Sequence, residues 1–300
     1  MRTRWISRIL TTGIIGLALG TVLSVAVALH SPNRVSPSPE EADAVARQTG
    51  ATWTDAQVTA RDGARLDAWF FRPREPNGSV AILLHGVSDT RRGVLGHAAF
   101  LLRSGFSVLT PDSRGHGASG GDLITYGLRE AGDVHAWSDW LFRKPEVKRL
   151  YGLGESLGAA ILLQSLPKEP RFRAIVAECP FATFEEVAYD RMARISRMPK
   201  PVFWPVVHLG FSYVRLRYGL DLWRASPAEA VRSTTVPILL IHGTADTHIP
   251  VNHSEQLHAL NPAATRLWEI QGAEHVAGLS QDPELYAKTV VNWFVSHGGP

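Results

Sequence analysis

The chain has 300 residues, 45% hydrophobic and 20% charged, which is enough for a sizeable core and argues against disorder, a collagen-like repeat or a small disulfide scaffold. A single cysteine, Cys179, excludes an intrachain disulfide and any multi-cysteine zinc or iron–sulfur site. The formal net charge is +3, from 31 Lys and Arg against 28 Asp and Glu, and so small a balance does not suggest a nucleic-acid partner.

Arg2, Arg4 and Arg8 precede an uncharged run from Ile9 to Leu29. Roughly 20 apolar residues span a bilayer core, so residues 1–30 are predicted to be a membrane anchor. Its arginines stay cytoplasmic and the rest of the chain lies on the other side. The alternative is a signal segment cut after Ala26-Val27-Ala28, which would leave the protein secreted or periplasmic. Gly13, Gly16, Gly20 and the lack of a polar face disfavour a buried soluble helix. Residues 31–50 are predicted to be a linker, because Pro32, Pro37 and Pro39 favour a stiff, extended tether.

From residue 51 to residue 300, strand patterns alternate with helical ones. Gln57–Ala60 and Arg65–Phe71 flank Asp62-Gly63 as an antiparallel hairpin. Val80–Leu84 is a continuous apolar run, as a strand buried on both faces should be. Strand patterns recur at Phe106–Leu109, Arg149–Leu153, Ala174–Ala177, Val236–Ile241 and Thr265–Ile270. Helical stretches lie between them at Gly96–Ser104, Leu128–Leu141, Leu157–Leu166, Asn252–Leu260 and Pro283–Val295. This alternation predicts one α/β domain, a mostly parallel sheet with helices on both faces.

The chemistry is expected at strand ends. Gly154-Glu155-Ser156-Leu157-Gly158 joins a strand to an apolar helix, the context in which a sharp turn lifts a serine above a sheet. The bland alternative is a glycine-rich turn with a capping serine. A serine needs a base, and the base needs an acid to hold its tautomer. Asp246 and His275 both follow later strands, in the order acid then base. Glu178 competes for the acid role, or it orders a nearby loop; Asp112 lies before the serine and is out of order. The candidate oxyanion donors are the backbone amides of Leu157, just after the serine, and Val87, in the loop after the first long buried strand. His85 is read as tying that loop down. The glycine-rich Arg114–Gly121 stretch lacks the Lys-Ser/Thr of a phosphate cradle and is read as an irregular loop beside the site. Cys179 has no elbow context and is read as a buried thiol; the scattered histidines suggest no metal cluster.

His85-Gly-Val, Asp112-Ser-Arg-Gly-His-Gly-Ala-Ser-Gly, Gly154-Glu-Ser-Leu-Gly, His242-Gly-Thr-Ala-Asp and Gly272-Ala-Glu-His, taken in order, resemble the α/β-hydrolase superfamily. The similarity is greatest to its serine-aminopeptidase-like, monoglyceride-lipase-like and dienelactone-hydrolase-like branch, and it covers about residues 52–298. It implies Ser156, Asp246 and His275 as triad, the Val87 and Leu157 amides as oxyanion hole, and no cofactor or metal. The fold hosts many acyl-transfer activities, so it leaves the substrate open.

Between about 181 and 231 the strand pattern stops, where such hydrolases carry a lid. Arg191, Arg194, Arg197, Lys200, Arg215 and Arg217 occur there without an acidic residue between Arg191 and Arg217, interleaved with Phe203, Trp204, Phe211 and Tyr213. Pro199, Pro201 and Pro205 prevent one continuous helix. The aromatics either pack on the core around the substrate pocket or face a lipid surface. The reading is a membrane-tethered serine hydrolase of small-molecule or lipid esters, including thioesters. The alternatives are an aminopeptidase or amidase using Glu155 or Glu178 to clamp an amine, and a non-catalytic membrane-tethered binding module.

Overall fold

The computed structural model describes residues 33–299 together with residues 20 and 28–30. The apolar run expected to be an anchor therefore lies almost wholly outside the described residues. Among those described, no helix is long and apolar enough to cross a membrane.

Eight strands form one sheet: β1 (Thr52–Thr59), β2 (Arg65–Arg72), β3 (Ser79–Leu84), β4 (Ser107–Pro111), β5 (Arg149–Glu155), β6 (Phe172–Glu178), β7 (Ile238–Gly243) and β8 (Thr265–Ile270). Their spatial order is β1-β2-β4-β3-β5-β6-β7-β8. The hairpin β1–β2 and the β2–β4 pair are antiparallel, and all other pairs are parallel. This is the α/β-hydrolase fold, as the sequence predicts. The first strand begins five residues earlier than its sequence pattern, at Thr52, because pairing with β2 extends it.

Helices cover both faces. They are α1 (Pro39–Thr49), α2 (Leu95–Arg103), α3 (Glu130–Phe142), α4 (Leu157–Ser165), α5 (Phe184–Ser196), α6 (Trp204–Tyr218), α7 (Pro227–Ser233), α8 (Asn252–Leu260), α9 (Gly278–Gln281) and α10 (Pro283–Ser296). Successive strand residues point to opposite faces, so each central strand feeds two cores. Val80, Ile82 and Leu84 pack with residues of α3, α4 and α7, whereas Ala81 and Leu83 pack with residues of α1, α2 and α10. That double burial is why the central strands read as unbroken apolar runs.

One expectation needs correcting. Residues 39–49, taken as part of an extended linker, form α1. Pro39 sits in the first turn, where its missing N–H is harmless, and Ser38 and Glu41 form a capping box. The preceding residues also lie on the domain: Arg34 donates to the carbonyls of Ser119 and Gly121, and Gly117 N–H donates to Asn33 O. In the lid region the prolines break the chain as expected. A short 3₁₀ turn at Lys200–Phe203 separates α5 from α6.

The C-terminal helix closes one core. Phe294 is fully buried, with ring centroids 5.9 Å from Phe106 and 4.8 Å from Tyr151. Replacing Phe294 by Ala should destabilise the domain by about 3–5 kcal/mol, read as a lower urea midpoint at unchanged slope.

Candidate active site

Ser156 sits between β5 and α4 with φ 51° and ψ −112°, a left-handed conformation that is costly for a side-chain-bearing residue. The surrounding glycines make the turn feasible. A Cβ on Gly154 would lie 2.5 Å from the carbonyl carbon of Gly158, and one on Gly158 would lie 2.2 Å from the carbonyl oxygen of Leu84. The start of α4 is thereby pressed against the end of β3.

His275, in the loop after β8, has Nε2 2.9 Å from Ser156 Oγ and Nδ1 2.6 Å from Asp246 Oδ2. The structure thus brings together three residues that are distant in sequence, beyond the carboxyl ends of β5, β7 and β8. Asp246 Oδ1 accepts from the amides of His248 and Ile249 at 2.8 and 3.0 Å, and Oδ2 lies 3.3 Å from His242 Nε2. Burial by itself would raise this carboxyl. The hydrogen bonds from His242 and His275 outweigh it and hold the group well below the ordinary carboxylate range. The His248 ring stacks on His275 with centroids 5.2 Å apart.

The oxyanion candidates lie on the two segments that meet at the serine. Leu157 is the first residue of α4, so its amide has no intrahelical acceptor. Val87 follows Gly86, where a Cβ would stand 3.6 Å from Ser156 Cβ. His85 is buried: its Nδ1–H donates to Gly86 O at 2.8 Å and its Nε2 accepts from Ser113 N–H at 3.0 Å, so the ring ties the Val87 loop to the Asp112 loop. Asp112 is engaged elsewhere. Arg91 donates to it through Nε and Nη2 at 3.0 and 2.7 Å, and the amides of Arg91 and Ala118 complete its shell.

Glu178 is not hydrogen-bonded to His275. Its Oε1 accepts from Gly278 N–H at 2.9 Å and its Oε2 from the Tyr286 hydroxyl at 2.6 Å, which fastens the segment just past His275 to β6. Glu155 and Glu178 are register partners on adjacent strands, so their carboxyls share one face. His97 of α2 joins them, with Nε2 3.2 Å from the Tyr286 hydroxyl and Nδ1 3.5 Å from Glu155 Oε1. The buried Nδ1 has no hydrogen-bond partner. Sequence reasoning missed His97 and Tyr286, because only strand register and helix docking bring residues 97, 155, 178 and 286 together. Burial raises Glu155 and Glu178 and lowers His97 to about 4, so the cluster favours neutral forms.

By distance alone two buried trios could hold a metal ion: Cys179, His242 and Asp246, and His97, Glu155 and Glu178. In the first, both ring nitrogens of His242 are already engaged, with Ser254 Oγ and Ile249 O, and burial pushes the Cys179 thiol far up. In the second, both carboxyl oxygens of Glu178 already accept hydrogen bonds, from Gly278 N–H and the Tyr286 hydroxyl. Cys179 Sγ instead accepts from Val276 N–H at 3.4 Å, a buried thiol in a structural position.

Residues 74–210 match the family described as serine aminopeptidase, S33. The chain is 31% identical to an uncharacterized protein, YqkD, of Bacillus subtilis over 231 residues, 76% of this chain and 74% of that protein. It is 30% identical to an uncharacterized protein of Mycobacterium tuberculosis over 234 residues, covering 77% and 73%. The chain belongs to this serine aminopeptidase S33 family of α/β-hydrolases. Among solved structures, the esterase Pf2001 of Pyrococcus furiosus superposes with a TM-score of 0.72 at 22% identity, covering 89% of this chain and 99% of that one. Est1E of Butyrivibrio proteoclasticus, with ferulic acid bound, gives 0.60 at 18% identity, covering 80% and 99%. At these identities the two structures speak to the fold.

The neutral cluster has a consequence for acid stability. Above pH 6.5 His97 is unprotonated in both folded and unfolded chains; between 6.5 and about 4 only the unfolded chain takes up the proton. Stability attributable to this group is present above that window and lost as pH falls through it, by about 3 kcal/mol at the lower end. Urea unfolding from about pH 7 to about pH 4 should show a flatter acid-side decline in His97→Gln than in the wild type. Equal declines would show that His97 is not held neutral.

Proposed function

We propose that this chain is a serine hydrolase that cleaves carboxylic esters, including lipid esters or thioesters, through an acyl-enzyme. The observation that carries the reading is the continuous line of hydrogen bonds from Ser156 Oγ to His275 to Asp246, beginning at a serine held in a strained turn. Ser156 Oγ attacks the carbonyl carbon while His275 Nε2 takes its proton. Asp246 accepts from Nδ1–H, fixes that tautomer and supports the imidazolium. The Val87 and Leu157 amides donate to the developing oxyanion, each worth about 3 kcal/mol in such sites. Collapse expels the alcohol or thiol, which receives the proton from His275. Water, activated by the same base, then frees the acid.

An ester is favoured over a substrate with a free amine for a physical reason. An amine clamp needs an ionised, available carboxylate, whereas Glu178 already accepts two hydrogen bonds and burial raises both Glu178 and Glu155. The solved esterases of this fold point the same way.

The same reading keeps residues 9–27 of the uncharged run as a membrane segment, with Ala28 and Leu29 held on the folded domain and the catalytic domain on the non-cytoplasmic side. In support of an uncleaved segment, the Tyr126 hydroxyl donates to Ala28 O, a contact that a cut after Ala28 would remove from the domain. Mass analysis of the chain recovered from membranes should give an intact N-terminus; a chain beginning at Leu29 would refute the anchor.

Ser156→Ala should lower turnover of a p-nitrophenyl ester by about 10⁴-fold or more and abolish fluorophosphonate labelling, with the thermal midpoint nearly unchanged. Asp246→Asn should lower kcat by a factor on the order of 10⁴. Turnover retained in Ser156→Ala would overturn the nucleophile. Faster cleavage of aminoacyl amides than of esters across an acyl panel would favour the aminopeptidase alternative.

A further inference from the structure

Helix α6 carries two apolar lines instead of one. Val207, Gly210, Phe211 and Val214 are buried against the domain. Leu209 and Leu216, seven residues apart and therefore aligned along the helix, are exposed on the opposite side, Leu216 by 88%. Val202 in the preceding turn and Trp204 at the helix start are also exposed, and Ile195 and Met198 add to them from the end of α5 and the residues after it. Six of the ten large apolar side chains exposed among the described residues thus fall between positions 195 and 216. Single exposed leucines are ordinary; this concentration within one stretch of 22 residues is not.

Cations frame the outward line. Neighbouring residues on a helix project about 100° apart, so Arg215 and Arg217 flank Leu216 on its two sides. Lys200 pairs with Asp190, and Arg215 stands 3.9 Å from Asp221. Among the described residues, Arg191, Arg194, Arg197 and Arg217 have no carboxylate within salt-bridge distance. Such a line of apolar side chains bordered by arginines complements the acyl boundary and phosphates of an anionic leaflet.

The route of the N-terminal segment supplies an independent argument. Tyr126, which hydrogen-bonds Ala28 O, stacks on Phe184 at the start of α5 with ring centroids 3.8 Å apart. Phe184 in turn stacks on Phe211 of α6 at 5.6 Å. The uncharged run that ends at Leu29 therefore joins the folded domain beside the lid helices.

We infer that the outward face of α6, with the end of α5, docks on the same bilayer that holds residues 9–27. Val202, Leu209 and Leu216 enter the acyl boundary, and Arg215 and Arg217 meet anionic headgroups. The lid then rests at the lipid surface, and the active site beneath it takes esters that partition into the leaflet. This deepens the membrane reading above and rests on it.

The test uses the full chain reconstituted in vesicles of phosphatidylcholine alone or with one third phosphatidylglycerol. Cys179 is buried, so an environment-sensitive fluorophore can be directed to Ser212→Cys, between Leu209 and Leu216, and in a second protein to Lys288→Cys on α10. Spin-labelled lipids should quench the position-212 label at least about twofold more than the position-288 label, and more strongly with phosphatidylglycerol. Leu209→Ser/Leu216→Ser should remove that excess, and Arg215→Gln/Arg217→Gln should remove its dependence on phosphatidylglycerol. A vesicle-bound chain whose position-212 label stays in water would overturn the docking face and leave the anchor standing. A chain that does not bind vesicles would overturn both. Shielding of position 212 that grows with protein concentration without vesicles would assign the face to a second copy and overturn the inference. Turnover of a soluble p-nitrophenyl ester by the wild type reports the hydrolase reading separately.

Discussion

The site depends on one close approach, that of helix α4 to the end of β3. The helix can begin where it does only because Gly158 lets its backbone reach the Leu84 carbonyl and Gly154 lets the turn fold back on itself. That contact forces Ser156 to a positive φ and directs its hydroxyl away from the sheet. It also sets the Val87 loop beside the serine. Nucleophile and oxyanion candidates are therefore two outcomes of one packing constraint. Shifting α4 by the width of a methyl group would disturb both.

Around this point the protein treats ionisable groups in two opposite ways. Asp246 is buried but surrounded by donors, so its charge is retained where an imidazolium would need it. Glu155, Glu178 and His97 are buried with fewer donors and no cationic partner among the described residues, so they favour neutral forms. Glu178 links the two settings mechanically, through Gly278 and Tyr286, without taking the acid's place.

Much of the architecture was legible from side-chain period and turn chemistry. Val80–Leu84 and Ile238–Ile241 are apolar at every position because both faces of the sheet are covered, and they read as strands for that reason. Ser156, Asp246 and His275 could be nominated because each lies just beyond the carboxyl end of a strand that the sequence pattern marks. The linker was misjudged at Pro39, where a residue that disrupts helix interiors is well suited to a first turn and the Ser38–Glu41 capping box outweighs it. The second apolar line of α6 was hidden among lid residues whose inward and outward faces are both apolar, so no polar face marked its orientation.

The sequence by itself determined the strand–helix alternation, the elbow and the chain order of the candidate residues, because these are local consequences of periodicity and of glycines at fixed offsets. Only the tertiary structure decided which distant groups meet. Strand register sets Glu178 beside Glu155, helix docking brings His97 and Tyr286 to them, and the stacking of Tyr126, Phe184 and Phe211 links Ala28, which Tyr126 hydrogen-bonds, to the helices of the 181–231 insertion. No local pattern encodes such meetings. They follow from how two cores fill on either side of one twisted sheet.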